Sequence, residues 1–267
     1  MLDGLNGATR LVFIVGDPIA QVKSPAGVTA LLRQHGRDAV CVPAHVKPAD
    51  LADFIALAAR LPNVDGVLVT VPHKIAVLPL CASLTPRARS IGAVNVMRRA
   101  APGAPAWHGD MCDGEAFVAA LRAAGAPVAG QRALLVGAGG AGAAIAHALV
   151  DAGVAALTLH DTDAARRDGL VQRLRTHAAV PVAAGAPDPH GHALVCNATP
   201  LGMRAGDALP VPAGRLEPGT VVGDVITVPA VPPLIEAARA QGLATSTGSD
   251  MFAQVRPLLV RFLLEAA

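Results

Sequence analysis

Six consecutive residues, Gly137-Ala138-Gly139-Gly140-Ala141-Gly142, put glycine where a phosphate-binding turn requires it. In a chain with 27 glycines this pattern alone would mean little. Here an apolar run, Ala133 to Val136, precedes it and a helical run, Ala143 to Leu149, follows it, which is the strand–turn–helix setting the pattern needs. Gly137 then permits the tight turn, Gly139 lets the backbone approach a pyrophosphate, and Gly142 lets helix and strand close on each other. With Gly140 beside them, the first N–H groups of the helix face the phosphates. Asp161, at the end of the next β-type run, stands where a carboxylate accepts hydrogen bonds from the adenosine ribose. The chemistry of such a site is hydride transfer to or from a nicotinamide dinucleotide. A carboxylate at 161 repels a 2′-phosphate, so NAD is favoured over NADP; Arg166 and Arg167 follow closely, and we place them on the exposed face of the next helix. A glycine turn of purely structural purpose is the alternative.

Hydride transfer also requires a group that gives or takes a proton at the substrate oxygen. Of the 22 cationic residues only Lys23, Lys47 and Lys74 are lysine. Arginine cannot release its proton usefully, whereas lysine can. Lys74, in Val71-Pro72-His73-Lys74 just past a strand end, is therefore a candidate acid/base, with an ordinary surface lysine as the bland alternative. Asp113 opens a helix after Gly109-Asp110-Met111-Cys112, where it is either a helix cap or a partner for that lysine.

The elements that must carry these groups alternate between short β-type and longer helical runs, the pattern of βα units on a parallel sheet. Strands are expected at 11–15, 39–43, 66–71, 133–136, 156–160, 195–197 and 221–224. A hairpin is expected around the Ala-Pro-Gly-Ala-Pro stretch at 101–105, and helices at 48–59, 113–124, 139–150, 233–240 and 250–264. Ser24 is read as the N-cap of a further helix, with Pro25 in its first position. The simplest parse is two α/β domains joined near residue 113. With 52% hydrophobic residues and 16% charged, the chain can bury substantial cores. An aromatic content of 2% and a net charge of +2 without a basic run argue against nucleic acid and anionic membranes as partners. Four scattered cysteines and nine histidines form no metal-ligand spacing, so no metal is expected. The N-terminus carries no signal core and no apolar run is long enough to span a bilayer, which points to the cytoplasm.

In order along the chain, these motifs resemble the shikimate/quinate dehydrogenase family. The likeness runs through Gly16-Asp17-Pro18-Ile19-Ala20 with Lys23-Ser24-Pro25, Val69-Thr70-Val71-Pro72-His73-Lys74, Gly92-Ala93-Val94-Asn95 and Gly109-Asp110 with Asp113-Gly114. It continues through Gly137 to Gly142, Asn197-Ala198-Thr199 with Gly202-Met203, and Gln254. The resemblance implies that Lys74 and Asp113 are the catalytic pair. It implies that Asn95 and Gln254 bind ring hydroxyls, that Ser24 and Thr70 face the substrate, and that Asn197 and Thr199 lie against the cofactor. It also implies a substrate-binding domain over 1–112, rejoined by a C-terminal helix over 245–267, and a Rossmann NAD(P)-binding domain over 113–244. A small-molecule hydroxy acid is the expected partner, and a monomer or homodimer the expected assembly.

The departures from the family pattern fall in the substrate pocket, apart from one, at Asp161, on the cofactor side. The Ser-x-Ser-Pro clamp reads Val22-Lys23-Ser24-Pro25, and Leu68 replaces an asparagine before Val-Thr-Val-Pro. Met111-Cys112 replaces Asn-Thr, Thr227 replaces a tyrosine, and Asp161 replaces an arginine. Each pocket change removes or moves a polar contact worth about 1–3 kcal/mol where the substrate group stays buried. The expectation is an enzyme interconverting a ring hydroxy acid and its ketone, of the shikimate or quinate type, with altered substrate recognition. A dinucleotide-binding regulator with an idle active site is the competing expectation.

Overall fold

Runs of Val, Leu and Ala bounded by Gly and Pro form strands, the central ones buried on both faces, and the Ala-rich segments between them form helices that can approach such strands closely. The computed structural model describes residues 4–265. The described chain divides into two compact units, one comprising residues 4–112 and 256–265 and the other Asp113–Val255.

In the first unit, β1 (Arg10–Gly16), α1 (Ser24–Gln34), β2 (Ala39–His45), α2 (Leu51–Arg60) and β3 (Val64–Val69) are followed by β4 (Ser83–Leu84), α3 (Pro86–Ile91), β5 (Val96–Arg99) and β6 (Trp107–Asp110). Among the described residues these strands form one sheet, ordered β2-β1-β3-β5-β6-β4. β1 pairs in parallel with β2 and β3, whereas β5 runs antiparallel to both β3 and β6. The hairpin expected around residues 101–105 is β5–β6. The strand expected over 66–71 instead spans Val64–Val69, which leaves Thr70 and Val71 in the turn beyond it. α1 begins at Ser24 itself, so Lys23 takes the cap position and Ser24 is the first helical residue, one place earlier than expected.

The second unit holds α4 (Asp113–Ala123), β7 (Arg132–Val136), α5 (Gly140–Asp151), β8 (Ala156–His160), α6 (Ala164–Arg175), β9 (Val182–Ala184), β10 (Leu194–Asn197), β11 (Val221–Asp224), α7 (Pro233–Ala240), β12 (Ala244–Ser246) and the start of α8 (Gly248–Leu264). Its strands all pair in parallel, in the order β12-β11-β10-β7-β8-β9. Counted within the unit this is the doubly wound dinucleotide-binding order, with the reversal between β7 and β10.

The return of the C-terminal segment differs from the expectation in one respect. β12 extends the second sheet, so the chain does not rejoin the first unit at residue 245 but at Arg256, partway along α8. There α8 lies against β3 and β5. A side chain at Gly66 would collide with Leu263, and the Arg98 guanidinium sits 5.1 Å from the centre of the Phe262 ring. No helix among the described residues is long and apolar enough to cross a membrane.

Candidate active site

In parallel sheets, ligand groups gather beyond the carboxyl ends of the strands. In the first unit that edge carries the turn after β3. The Thr70 N–H donates to Val15 O (2.9 Å), and the His73 N–H donates to Thr70 O (2.9 Å). The buried His73 ring nitrogen Nε2 pairs with Val46 O at 2.7 Å, which anchors the turn to the end of β2. Lys74 follows, half-buried, and its carbonyl accepts from the Val94 N–H at 2.8 Å. Asn95 is the next residue, buried, with its backbone O accepting from Val69 N (2.8 Å). The structure thus brings Thr70, Lys74 and Asn95 to one edge, although they belong to separate segments of sequence.

Asn95 is fixed from behind as well. Its N–H donates to Asp110 O (2.9 Å), and its side-chain oxygen accepts from the Cys112 N–H (3.0 Å). Burial alone would raise the Asp110 carboxyl, but hydrogen bonds from Arg87 and Thr85 hold it below the usual carboxylate range. The Arg87–Asp110 pair, which sequence reading did not single out, therefore sets both Asn95 and the residue before Asp113. Asp113 itself is buried and is the first residue of α4. Gly114 explains how that helix is placed: any side chain there would collide with the Ala144 carbonyl, so α4 lies directly on α5. Ser24 is buried at the start of α1, and Gln254 is half-buried on α8 in the second unit.

Around the glycine turn the backbone does the shaping. Gly137 has φ +105°, a conformation L side chains rarely adopt, and an added Cβ would also lie 2.8 Å from the Ala198 carbonyl. A Cβ at Gly142 would collide with Gly137 O, whereas one at Gly139 would meet open space. Gly139 takes the cap position of α5 and makes no side-chain cap hydrogen bond there. A cradle closed behind and open in front, ending in an uncapped helix, fits a dinucleotide pyrophosphate. Asp161 lies beside it, its Oδ2 accepting from Ala138 N (2.7 Å) and its Oδ1 from Asp163 N (2.8 Å). Arg166 is exposed on α6, as expected, and there stands 3.7 Å from that carboxylate; Arg167, also on α6, pairs with Asp168 instead.

A substrate-binding domain model of shikimate dehydrogenase matches residues 14–97. Shikimate dehydrogenase (NADP(+)) of Acidiphilium cryptum is 38% identical over 248 residues, covering 92% of this chain and 87% of that protein. The chain belongs to the shikimate dehydrogenase family. It is accordingly an oxidoreductase of the nicotinamide-dependent kind. Two solved structures share its fold along nearly all of both chains. The ligand-free 5-ketofructose reductase of a Gluconobacter species has TM-score 0.82 and 31% identity, covering 96% of this chain and 93% of that one. Quinate dehydrogenase from Corynebacterium glutamicum in complex with NAD has TM-score 0.82 and 29% identity, covering 96% and 94%.

One position read as a cofactor contact from the resemblance, and three read as departures in the substrate pocket, turn inward. Asn197 is fully buried and spends its whole amide on Thr199, Leu201 and Asp224, so it shapes the loop after β10 instead of reaching a ligand; Thr199 remains half-exposed. Leu68 is 2% exposed, Met111 1% and Cys112 0%, so these three substitutions are changes of core packing. Val22 and Thr227 are half-buried and keep surface toward solvent. Asp224, fully buried at the end of β11, is the acidic group that sequence reading passed over as a landmark. Its only signal was a charge closing the apolar run Val221-Val222-Gly223. Among the described residues no cluster of His, Cys, Asp and Glu could hold a metal ion.

Proposed function

We propose that the chain interconverts a hydroxylated ring acid of the shikimate or quinate type and its ketone, with Lys74 and Asp113 handling the proton. The observation that carries this reading is the placing of Lys74 beside Val94 and Asn95, with Asn95 in turn holding the residue that precedes Asp113. A nicotinamide dinucleotide, when bound, supplies or removes the hydride. In oxidation the Lys74 Nζ takes the hydroxyl proton; in reduction its ammonium returns one to the carbonyl oxygen. Asp113 orders that amine and hydrogen-bonds the substrate. Asn95, Gln254, Ser24 and Thr70 hold the ring substituents. Gly137, Gly139, Gly140, Gly142, Asp161 and Thr199 hold the dinucleotide.

One position favours a second substrate class. Val22 offers an apolar surface where the family pattern has a hydroxyl for a carboxylate, and the 5-ketofructose reductase relative acts on a ketose. The test is nicotinamide absorbance across a panel containing shikimate, quinate and 5-ketofructose with each dinucleotide. Turnover of a ring acid supports the first reading, and turnover of the ketose alone replaces it with the second. A chain that binds NADH or NADPH yet turns over nothing is the idle-site regulator.

For the cofactor we propose NAD as the favoured partner through Asp161, with Arg166 giving NADP a cation for its 2′-phosphate. Asp161→Ala should weaken both dinucleotides, since it also releases the Ala138 N–H, but should narrow the NAD/NADP ratio. Arg166→Ala should widen it. Titration of NADH and NADPH against each variant measures that ratio, and an unchanged ratio in both variants removes the assignment.

A further inference from the structure

β10 and β11 end in register on Asn197 and Asp224, and neither residue exposes any surface. The Asn197 Nδ2 donates to Asp224 Oδ2 (3.0 Å) and to Leu201 O (3.3 Å). Its Oδ1 accepts from the Thr199 N–H (3.0 Å) and hydroxyl (2.7 Å), and Thr199 Oγ1 accepts from Leu201 N (3.1 Å). The other Asp224 oxygen accepts from Ile226 N at 2.8 Å. One carboxylate thus ties together the two loops, 198–202 and 225–229, that leave these strands. We propose that Asp224, acting through Asn197, is a positioning residue for the nicotinamide half of the dinucleotide, a role that rests on the oxidoreductase reading above.

Three observations support the assignment. The strand order reverses between β7 and β10, so a dinucleotide centred on the turn after β7 spreads to both sides. Asp161, after β8, lies on one side; the loops after β10 and β11 lie on the other, where the nicotinamide half falls. Next, the first of those loops has no slack. An added Cβ at Gly137 would sit 2.8 Å from Ala198 C and 3.0 Å from the Thr199 methyl, so a shift of residues 198–202 would press on the glycine turn itself. The second loop is pinned too: a side chain at Gly248 would collide with the carbonyls of Val225 and Ile226, where α8 begins its run to Gln254.

The type of group also matters. Both partners of Asp224 are N–H donors, so only a carboxylate satisfies them together, and an asparagine there would turn a donor against a donor. Burial pushes this carboxyl up to about 7, with the bonds from Asn197 and Ile226 offsetting part of the rise. An apolar pair would serve stability alone as well or better.

The test compares wild type with Asp224→Asn, using ADP-ribose, which lacks the nicotinamide, and whichever of NADH and NADPH binds wild type more tightly. ADP-ribose affinity should stay within about twofold, while the reduced dinucleotide loses bound fluorescence and about tenfold in affinity. With the best panel substrate, kcat should fall about 10- to 100-fold, the scale of a small misplacement of reacting groups. Thr199→Val, at a half-exposed position, gives the same pattern more weakly and serves if the first variant does not fold. The two together should be non-additive. An unchanged kcat, or a loss of ADP-ribose affinity parallel to that of the full dinucleotide, overturns the proposal. A wild-type chain that binds neither ADP-ribose nor a reduced dinucleotide defeats the oxidoreductase reading itself, and the proposal with it.

Discussion

The two units place polar groups at the carboxyl edge of a sheet by different means. In the first, the candidate groups are side chains, those of Thr70, Lys74 and Asn95, set on turns that long-range backbone bonds tie to the sheet. In the second, the surface offered to a ligand is mostly backbone: a glycine turn, an uncapped helix end and a loop. There the side chains that resemble ligands, Asn197 and much of Asp161, turn inward to shape that backbone. A site of the first kind should fail through loss of a head group while the fold survives. One of the second kind should fail through the addition of a single methyl.

The largest expected effect tests the first half of that contrast. Lys74→Ala and Asp113→Ala should each lower kcat by about 10²- to 10⁴-fold, with the double variant little worse than the poorer single. Fluorescence titration should find dinucleotide affinity near wild type in all three. Retained kcat in Lys74→Ala would falsify the proton role, and normal kcat in Asp113→Ala would return that residue to the start of a helix and nothing more. The glycines test the other half. Gly142→Ala should weaken NADH binding by at least about tenfold and lower Tm, because its methyl collides with the Gly137 carbonyl. Gly139→Ala meets only open space within the protein, so it should lose affinity for the dinucleotide with Tm unchanged. Equal behaviour of the two variants would mean that the turn is not the cradle described.

The same contrast explains what could be read from sequence. A backbone site writes itself into composition, since positive φ at Gly137 and the close approach at Gly142 exclude every other residue. The strand before the turn and the helix after it were legible for the same reason, as was the β5–β6 hairpin around its proline-glycine stretch. The short edge strands β4, β9 and β12 were not, because two or three residues cannot display a period. Nor could sequence show which way a side chain faces. Leu68 and Asn197 both matched positions of functional pattern, and both point into the interior. Asp224 was read only as a strand end, because the role of a buried carboxylate is recognised by its partners, which lie on another strand and beyond a turn.

Leu68 and Val22 give the next effect in size. Both stand where the family pattern has a polar side chain, but only Val22 has open surface. Leu68→Asn should cost about 1–3 kcal/mol of stability by burying an amide, without raising kcat/KM for shikimate. Val22→Ser should leave stability within about 0.5 kcal/mol and raise that ratio. Urea unfolding and steady-state kinetics on the single variants separate these outcomes. A gain in shikimate turnover from Leu68→Asn would place that side chain in the pocket after all.

The smallest effect concerns acid, and it belongs to the second unit. His147 lies on the buried side of α5, 4% exposed, with its ring stacked on that of His177 at 4.9 Å between centres. Its Nε2 meets no hydrogen-bond partner among the described residues. Burial, with His177 and Arg173 nearby, pushes the imidazole down to about 4 from an ordinary 6.5. Between those values the unfolded chain holds a proton that the folded chain refuses, so unfolding is favoured progressively as pH falls. The stability contribution of the neutral ring is complete above 6.5 and lost on the way down to about 4. His147→Leu keeps the apolar packing and removes the titration. Its Tm should therefore fall less than that of wild type between pH 7 and pH 5, by about 2–4 °C for each kcal/mol of linkage removed. His177→Leu removes a neighbour that disfavours the charged form and should soften the acid limb without abolishing it. Parallel Tm-versus-pH curves for wild type and His147→Leu would mean that the acid sensitivity arises elsewhere, and that the helix behind the glycine turn titrates no differently from the rest of the molecule.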